Sequence, residues 1–561
     1  MVDANEPKED GGELERAEET TGALGGEFLA GMDPLLLVNS LASTVTPAAA
    51  VRAMSNVAIR SSALLAGAED VEIPAKDPRF RDPAFAENSF YRRWAQLYLV
   101  WEKEMMSLVD NDEVDWRTRE RSRLLMGVLT SAMAPTNFLA GNPEALKQAI
   151  TTSGRSLFDG TTNFVTDLLA NGGLPSQVDK AAFQVGVNIA ATEGAVVHRT
   201  EMFELLHYRA TTAEVGAVPL MLLPPPVNKY YFWDLAPERS LVEYAVNRGV
   251  DVYTIVWRDP QPEHASWGID NYLGSALEAI EVTRSVAGSD RVHVFGDCSG
   301  GMFACMLLGH QAATGRRTIA TVTLGVTVVD FGEPGGIGIA ASDQSLETLR
   351  ARAEKGEIIT AQSIANTFVW MRPNDLVWRY LVQDWLLGRK PPAFDIMFWN
   401  ADGQGLTAQL ALEMTEMSLA NSLLEPGGLV SLGTPIDLAE AQVDSYHIAG
   451  QTDHISPWKA CYAAARALGG DSTFVLTPTG HVQSIIYPPG KARAAFYTNP
   501  DVVDDAEAWA TAATRNEGSW WPHWVDWLLA RSDGTRQAPT ELGNADHQVL
   551  APAPGRYVLG E

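Results

Sequence analysis

The sequence has few cysteines, a deficit of basic residues and no long apolar run. Its three cysteines, Cys298, Cys305 and Cys461, are an odd and sparse set, which excludes a disulfide framework and a paired zinc site and leaves at least one thiol free. No stretch of about eighteen uninterrupted apolar residues occurs, so we predict no transmembrane segment. The acidic N-terminus lacks the basic start and apolar run of a secretory signal. We therefore expect a cytoplasmic protein with a disordered acidic tail over residues 1–25.

The deficit of basic residues limits the partners that the chain can bind. Forty-two Lys and Arg stand against 70 Asp and Glu, for a formal net charge of −28. Contacts to phosphates need clustered Lys and Arg, so we predict no nucleic-acid partner and no simple electrostatic attraction to an anionic membrane. An anionic substrate is not excluded, because a local cluster of cations outweighs the global field at short range.

Two regions of different pattern follow the tail. Residues 26–205 are expected to form a helical N-terminal domain, since stretches such as AENSFYRRWAQLYLVWEKEMMSLV repeat apolar residues at helical spacing. Residues 206–561 alternate strand-like runs, including DVYTIVW and RVHVFGD, with short helices. This alternation predicts a parallel sheet with helices on both faces. The alternation breaks at about residues 331–440, which we expect to be an insertion between two strands of the sheet.

The stretch FGDCSGGM resembles a nucleophile elbow with a thiol in the place of a hydroxyl. Gly296 and Gly300 frame Cys298 between a predicted strand and a predicted helix, as a strained turn that exposes a nucleophile requires. A helix N-terminus also favours a thiolate. The alternative is a buried structural cysteine at a tight turn. The elbow predicts an α/β-hydrolase fold for residues 206–561, with residues 331–440 as its cap.

In such a fold the acid and the histidine follow the nucleophile in that order. Asp453 comes just past the apolar run in SYHIAGQTDH, and His481 just past the run in FVLTPTGH. Taken singly, a solvated turn carboxylate or an ordinary loop histidine explains each residue. Because both follow predicted strands in the right order, we predict that they are the partners of Cys298.

An oxyanion hole requires two backbone donors near the nucleophile. Ser299 follows Cys298 and supplies the first N–H group. The second is expected from the loop PPPVNKYY after the first strand of the sheet, at Val227.

A thiol at the elbow favours acyl transfer over simple ester hydrolysis. A serine that attacks a thioester gives an oxygen ester in a downhill step, whereas a cysteine exchanges one thioester for another at nearly equal free energy. The acyl group on Cys298 would then stay activated for transfer to an alcohol. His481 would deprotonate Cys298 or the attacking hydroxyl, and Asp453 would orient His481 or assist the alcohol.

Motifs along most of the chain closely resemble the poly(3-hydroxyalkanoate) synthases, especially their single-subunit type. They occur in the N-terminal region, at the elbow, in the insertion and at the C-terminus. In chain order they are DPRFRDPAFAENSFYRRWAQLYL, FLAGNPEALKQAI, VGVNIAATEGAVV, LLPPPVNKYYFWDL, GDCSGG, NDLVWRYLVQDWLLGRKPPAFDIMFWN, TPIDL, TDHISPWKACY, TGHVQSIIYPP and APAPGRY.

The resemblance implies polymerisation of (R)-3-hydroxyacyl-CoA, such as 3-hydroxybutyryl-CoA, into a polyester with release of CoA. By motif, Cys298 would hold the growing acyl chain, His481 would be the general base and Asp453 would support it or activate the 3-hydroxyl. Trp378, in NDLVW, matches a tryptophan linked with dimerisation. The resemblance also implies a homodimer at the surface of cytoplasmic polyester granules, a mobile cap, and no metal or organic cofactor. The N-terminal helical region would contribute to dimer stability and granule attachment.

Two other functions remain open at this point. A thioesterase or polyester depolymerase on the same scaffold would use water as the acceptor and release free acids of low mass. A non-catalytic, granule-bound structural protein would keep the fold alone.

Asp297 adds a question of mechanism, because a charged carboxylate directly before Cys298 would oppose thiolate formation unless it turned into solvent or paired with a base.

Overall fold

The computed structural model describes residues 34–332, 335–490 and 493–561, and these residues form two compact units. One unit contains the described residues up to Asp179 together with Gln362–Pro392. The other contains Lys180–Ala361 and Ala393–Glu561. The predicted tail, residues 1–25, lies outside the described residues.

Helices come first along the chain, and strands begin only at Gly194. The α-helices are α1 (Pro34–Thr44), α2 (Pro47–Leu65), α3 (Ala84–Glu87), α4 (Ser89–Ser107), α5 (Trp116–Ala132), α6 (Pro143–Thr151), α7 (Arg155–Ala170), α8 (Leu241–Asn247), α9 (Ile269–Ala287), α10 (Cys298–Thr314), α11 (Asp343–Glu354), α12 (Ala361–Met371), α13 (Asp395–Asn400), α14 (Ala408–Ala420), α15 (Trp458–Ala467), α16 (His481–Ile485), α17 (Ala506–Ala512) and α18 (Trp521–Leu529). The strands are β1 (Gly194–Arg199), β2 (Phe203–Tyr208), β3 (Glu214–Gly216), β4 (Leu220–Leu223), β5 (Val252–Trp257), β6 (Val292–Asp297), β7 (Ile319–Gly325), β8 (Ile358–Ile359), β9 (Leu406–Thr407), β10 (Val430–Ser431), β11 (Thr434–Pro435), β12 (Asp444–Gly450), β13 (Ser472–Thr477), β14 (Ala495–Thr498), β15 (Thr514–Glu517), β16 (Thr535–Gln537) and β17 (Ala551–Pro552).

The first unit is helical, and side-chain caps define where several of its helices begin. Asn88, Asp115 and Asn142 accept hydrogen bonds from backbone N–H groups in the first turns of α4, α5 and α6. Such caps satisfy donors that have no partner within the helix. The later segment of this unit, Gln362–Pro392, is joined to α7 by a side-chain hydrogen bond. The Trp385 indole N–H donates to the Asp167 carboxylate at 2.7 Å.

The second unit is built on an eleven-stranded sheet in the order β15-β14-β13-β12-β7-β6-β4-β5-β2-β1-β17. Its six central strands, from β13 to β5, are parallel, and antiparallel strands extend it on both sides. Parallel strands end at one edge of the sheet, so the loops after β4, β6, β7, β12 and β13 all leave at the same edge. This edge is where ligands bind in open α/β sheets.

Two hydrophobic cores cover the two faces of the sheet. Side chains alternate along each strand, as the pleat requires. In β6, Val294 belongs to the core that includes α9, α10 and α15, whereas Phe295 belongs to the core that includes α8 and α18. The helices on both faces confirm the predicted layered α/β architecture, and the helical region before the sheet is confirmed as well.

The antiparallel edges of the sheet are not predicted by the sequence pattern. Strand β1 and the start of β2 lie within residues 26–205, which are expected to be helical, and the first compact unit ends at Asp179 in this part of the chain. The reason is that short apolar runs such as FELLHY, buried along their whole length, show no alternation. Periodicity cannot distinguish such a strand from a buried helix.

The predicted insertion lies between β7 and β12, which are neighbours in the sheet. It contains α11 to α14 and two π-helical turns, Asn374–Trp378 and Leu381–Leu386. Its residues 362–392 belong to the compact unit of the N-terminal helices, and the rest belongs to the unit of the sheet.

No single helix in the described part of the chain is long and apolar enough to cross a membrane. One bent pair, Leu35–Thr44 with Pro47–Leu65, meets the criteria of length and composition when the two helices are taken together.

We predict that substitution of Gly300 by alanine destabilises the second unit. A Cβ atom there would lie 2.1 Å from the Leu223 carbonyl oxygen, so backbone would have to move. Overpacking of this kind costs about 1–3 kcal/mol. Gly274→Ala is the matched control, because it is also helical but has no atom within 4 Å of the added Cβ, and alanine there should stabilise α9 by up to about 1 kcal/mol. Urea unfolding of both variants tests the pair, and equal midpoints would contradict the prediction.

Candidate active site

Cys298 occupies a strained turn between β6 and α10. Its φ angle is +48°, in the left-handed region that residues with a side chain rarely adopt. The residue is half-buried, whereas Cys305 and Cys461 are fully buried. Of the three thiols, Cys298 is therefore the one that is partly accessible and held by a strained backbone, as expected for a nucleophile elbow.

The strain at Cys298 follows from how closely the first turn of α10 approaches its neighbours. Gly300 lies against the end of β4, at the Leu223 carbonyl. Gly301 lies against Thr327, just past β7, where a Cβ would fall 1.9 Å from the Thr327 hydroxyl. No side chain larger than hydrogen fits at either position without movement. These contacts place the first turn of α10 beside the loops after both flanking strands.

Asp453 and His481 form a hydrogen-bonded pair at the same edge of the sheet. Asp453 lies three residues past β12, and His481 begins α16, four residues past β13. The His481 Nδ1 atom is 2.8 Å from the Asp453 Oδ2 atom. The other carboxylate oxygen accepts hydrogen bonds from the N–H groups of Ile455 and Ser456, at 2.8 and 2.9 Å. The carboxylate is thus fixed on both sides, and it fixes the imidazole in turn.

The electrostatics of His481 depend on both of its predicted partners. Burial alone would lower its pKa, but the Asp453 carboxylate raises it by charge and hydrogen bonding, and the Cys298 thiol raises it further. The net effect is a His481 pKa well above the ordinary value of 6.5. The structure therefore brings all three predicted residues together, with the imidazole between the thiol and the carboxylate.

The two residues predicted to supply an oxyanion hole both have N–H groups available. Ser299 lies in the first turn of α10, where N–H groups have no partner within the helix. Val227 follows Pro224, Pro225 and Pro226, so its N–H is the first donor after β4. No described residue accepts a hydrogen bond from it.

Asp297 is buried beneath the elbow and is not turned into solvent. It is 5% exposed, and its Oδ1 atom has no hydrogen-bond partner among the described residues. Burial raises the pKa of this carboxyl well above 3.8, although the nearby His481 opposes the rise. Burial therefore favours the neutral acid at this position, and a neutral side chain would place no negative charge beside Cys298. The sequence reveals the residue but not its burial, since an aspartate that ends a strand is usually exposed.

Trp378 belongs to the first compact unit. It ends a π-helical turn, and its ring packs edge-on against Trp370 with centroids 6.0 Å apart. It borders a cavity of about 350 Å³ that Arg79 and Arg379 also line. Its predicted role in dimerisation stays a prediction.

Among the described residues, no group of three or more His, Cys, Asp or Glu is placed to hold a metal ion.

The fold class is that of the α/β hydrolases, and residues 226–486 match the family described as "alpha/beta hydrolase fold". Residues 76–245 match a second family, "Poly-beta-hydroxybutyrate polymerase (PhaC) N-terminus". Together the two matches cover residues 76–486, which include helices α3 to α7 and the residues Cys298, Asp453 and His481.

Curated relatives cover most of the chain. Poly(3-hydroxyalkanoate) polymerases 2 and 1 of Ectopseudomonas oleovorans are 42% and 40% identical to it, over 86% and 88% of both chains. Poly(3-hydroxyalkanoate) polymerase subunit PhaC of Cupriavidus necator is 38% identical, over 90% of this chain and 87% of its own. The chain belongs to the poly(3-hydroxyalkanoate) polymerases, which are acyltransferases that synthesise polyesters. The resemblance stated from the motifs is thereby confirmed.

We predict that Asp453→Asn lowers the pKa of His481. The substitution removes the carboxylate whose charge and hydrogen bond raise that pKa, while burial, which lowers it, remains. Titration of the 15N-labelled imidazoles by NMR should show His481 losing its proton at lower pH in the variant than in the wild type. An unchanged midpoint would mean that Asp453 does not control the charge of His481.

We predict that Asp297→Asn gains stability over the wild type as the pH rises. The folded protein keeps a proton on Asp297 that the unfolded chain loses near its ordinary pKa of 3.8, so stability from this group falls with rising pH. Asparagine does not ionise, so the variant does not lose this stability as the pH rises. The difference in free energy of unfolding should grow by up to about 1.4 kcal/mol per pH unit until Asp297 ionises in the folded state. Urea unfolding between about pH 5.5 and 8 measures it, and a constant difference would contradict a neutral Asp297.

Proposed function

We propose that the chain polymerises (R)-3-hydroxyacyl-CoA, with 3-hydroxybutyryl-CoA as the first substrate to test, through a covalent thioester on Cys298. The observation that carries the proposal is the arrangement of the strained thiol, His481 and Asp453, with the imidazole held 2.8 Å from the carboxylate. This is a nucleophile, a base and a group that orients the base. Membership of a polyester-synthesising family supports the choice of substrate.

In the first step His481 takes the proton of Cys298, and the thiolate attacks the carbonyl carbon of the hydroxyacyl-CoA. The negative charge that develops on the carbonyl oxygen would be stabilised by the N–H groups of Ser299 and Val227. The bond to the CoA sulfur then breaks, and CoA leaves with the proton from His481. The product is an acyl thioester on Cys298, nearly equal in free energy to the substrate thioester.

In the second step the 3-hydroxyl of an incoming hydroxyacyl-CoA attacks the thioester on Cys298. Its proton passes to His481, an ester bond forms, and the bond to the Cys298 sulfur breaks. The chain is then one unit longer and carries CoA at its end, so Cys298 recaptures it by repeating the first step. Asp453 holds the imidazole in the orientation that both transfers need.

The assembly and location of the enzyme are also part of the proposal. We expect a homodimer in which Trp378 contributes to association, at the surface of cytoplasmic polyester granules. Apolar side chains exposed on α2 and α7, including Met54, Ile59, Phe158 and Leu169, support contact of the first unit with an apolar polymer.

We predict that Cys298→Ala lowers the rate of CoA release from 3-hydroxybutyryl-CoA by about 10³-fold or more, because the nucleophile is lost. Cys305→Ala is the matched control, since it removes a buried thiol two turns along the same helix and should retain activity. A spectrophotometric thiol assay measures CoA, and mass spectrometry of the Cys298 peptide detects the acyl adduct.

CoA release by Cys298→Ala at the wild-type rate would refute the proposed nucleophile. The product distinguishes the acceptor: an insoluble polyester supports polymerisation, whereas free hydroxy acids of low mass would identify a thioesterase or depolymerase. Binding to granules without any CoA release would identify a structural protein.

A further inference from the structure

The loop that carries Val227 is held by hydrogen bonds to its carbonyl groups. The Trp257 indole N–H donates to the Pro224 carbonyl at 2.8 Å, the Gln404 side-chain amide donates to the Pro226 carbonyl at 2.6 Å, and the Trp399 indole N–H donates to the Lys229 carbonyl at 2.7 Å. Three side chains thus donate hydrogen bonds to three carbonyl groups of one short loop.

Two of these donors come from the insertion between β7 and β12. The same stretch supplies Asp402, whose carboxylate accepts from Lys229 Nζ at 2.7 Å and from the Tyr231 hydroxyl at 2.6 Å. Lys229, Tyr231 and Gln404 are largely buried, so little water competes for these bonds. The insertion therefore holds the loop from Pro226 onward, whereas Trp257 of β5 holds its start at Pro224.

Gln404 holds a particular peptide group of this loop. The Pro226 carbonyl and the Val227 N–H belong to the same peptide unit, which is planar and, in its usual trans form, points them in opposite directions. A hydrogen bond that fixes the carbonyl accordingly fixes the direction of the N–H. It also polarises the peptide, so the N–H on the other side becomes a stronger donor.

We propose that Gln404 is a positioning residue for the oxyanion hole: it orients the 226–227 peptide so that the Val227 N–H faces the reacting carbonyl oxygen, and Asp402 holds the same loop through Lys229 and Tyr231. The inference rests on the proposed function, because it assumes that an oxyanion forms at Cys298. It assigns the insertion a part in the chemistry.

The test compares two reactions of Cys298, only one of which forms an oxyanion. Acylation by hydroxyacyl-CoA passes through a tetrahedral oxyanion, whereas alkylation by iodoacetamide is a displacement at carbon that forms none. Gln404→Leu keeps the size of the side chain and removes the donor. Gln409→Leu is the matched control, since Gln409 lies in the same insertion and donates to Glu413 on its own helix at 2.6 Å.

For Gln404→Leu we expect kcat for CoA release to fall about 10- to 100-fold with little change in KM, because an interaction made mainly in the transition state is lost. The alkylation rate of Cys298 should stay within about twofold of the wild type, because the triad is untouched. Gln409→Leu should match the wild type in both reactions. If Gln404→Leu fails to fold, Asp402→Asn takes its place. This variant retains a polar group toward Tyr231 but loses the charge that pairs with Lys229, and it should lower kcat in the same selective way.

Unchanged CoA release in Gln404→Leu would overturn the proposal, because the peptide would then be oriented without Gln404. A parallel fall in CoA release and alkylation would overturn it as well, since the substitution would have disturbed Cys298 itself. Failure of the proposed function is a separate result: it appears as CoA release by Cys298→Ala, whatever the Gln404 variant does.

Discussion

The close approach of the first turn of α10 to the ends of β4 and β7 is the constraint on which the rest of the site depends. With a hydrogen atom as the side chain at Gly300 and Gly301, the helix can begin directly against the Leu223 carbonyl and the Thr327 hydroxyl. The chain must then turn sharply at Cys298, which adopts a positive φ and leaves its thiol beside His481. Widening this contact by one methyl group would move the nucleophile relative to the loops after β12 and β13, which carry its partners.

Two carboxyl groups near the thiol have different surroundings. Asp453 has three hydrogen-bond donors, the amides of Ile455 and Ser456 and the His481 imidazole, so a negative charge there is well stabilised. Asp297 is buried with one oxygen unpartnered, so its neutral form is favoured. Asp453 can therefore raise the pKa of His481, whereas burial disfavours a negative charge on Asp297, which would oppose a thiolate at Cys298.

The proposed chemistry depends on the thiol nucleophile and on the 226–227 peptide, whose carbonyl is held by a hydrogen bond. Exchange between thioesters of nearly equal free energy keeps the acyl group activated, so the barrier must be lowered by stabilising the oxyanion and not by a downhill step. In that setting the orientation of the 226–227 peptide matters, and its carbonyl is held by Gln404 from the insertion. Under the proposal, the insertion contributes to the stability of the transition state through this hydrogen bond.

By itself the sequence determined the strand–turn–helix around Cys298, the order of Asp453 and His481 after later strands, and the family, because each of these is a local pattern. Only the tertiary structure decided the antiparallel strands β1 and β2, since short, fully buried strands lack the alternation that separates them from helices. Only it decided the burial of Asp297, because the exposure of a side chain depends on what packs over it. The same holds for the contact between Gln404 and Pro226, which are 178 residues apart and meet only when the sheet and the insertion have folded.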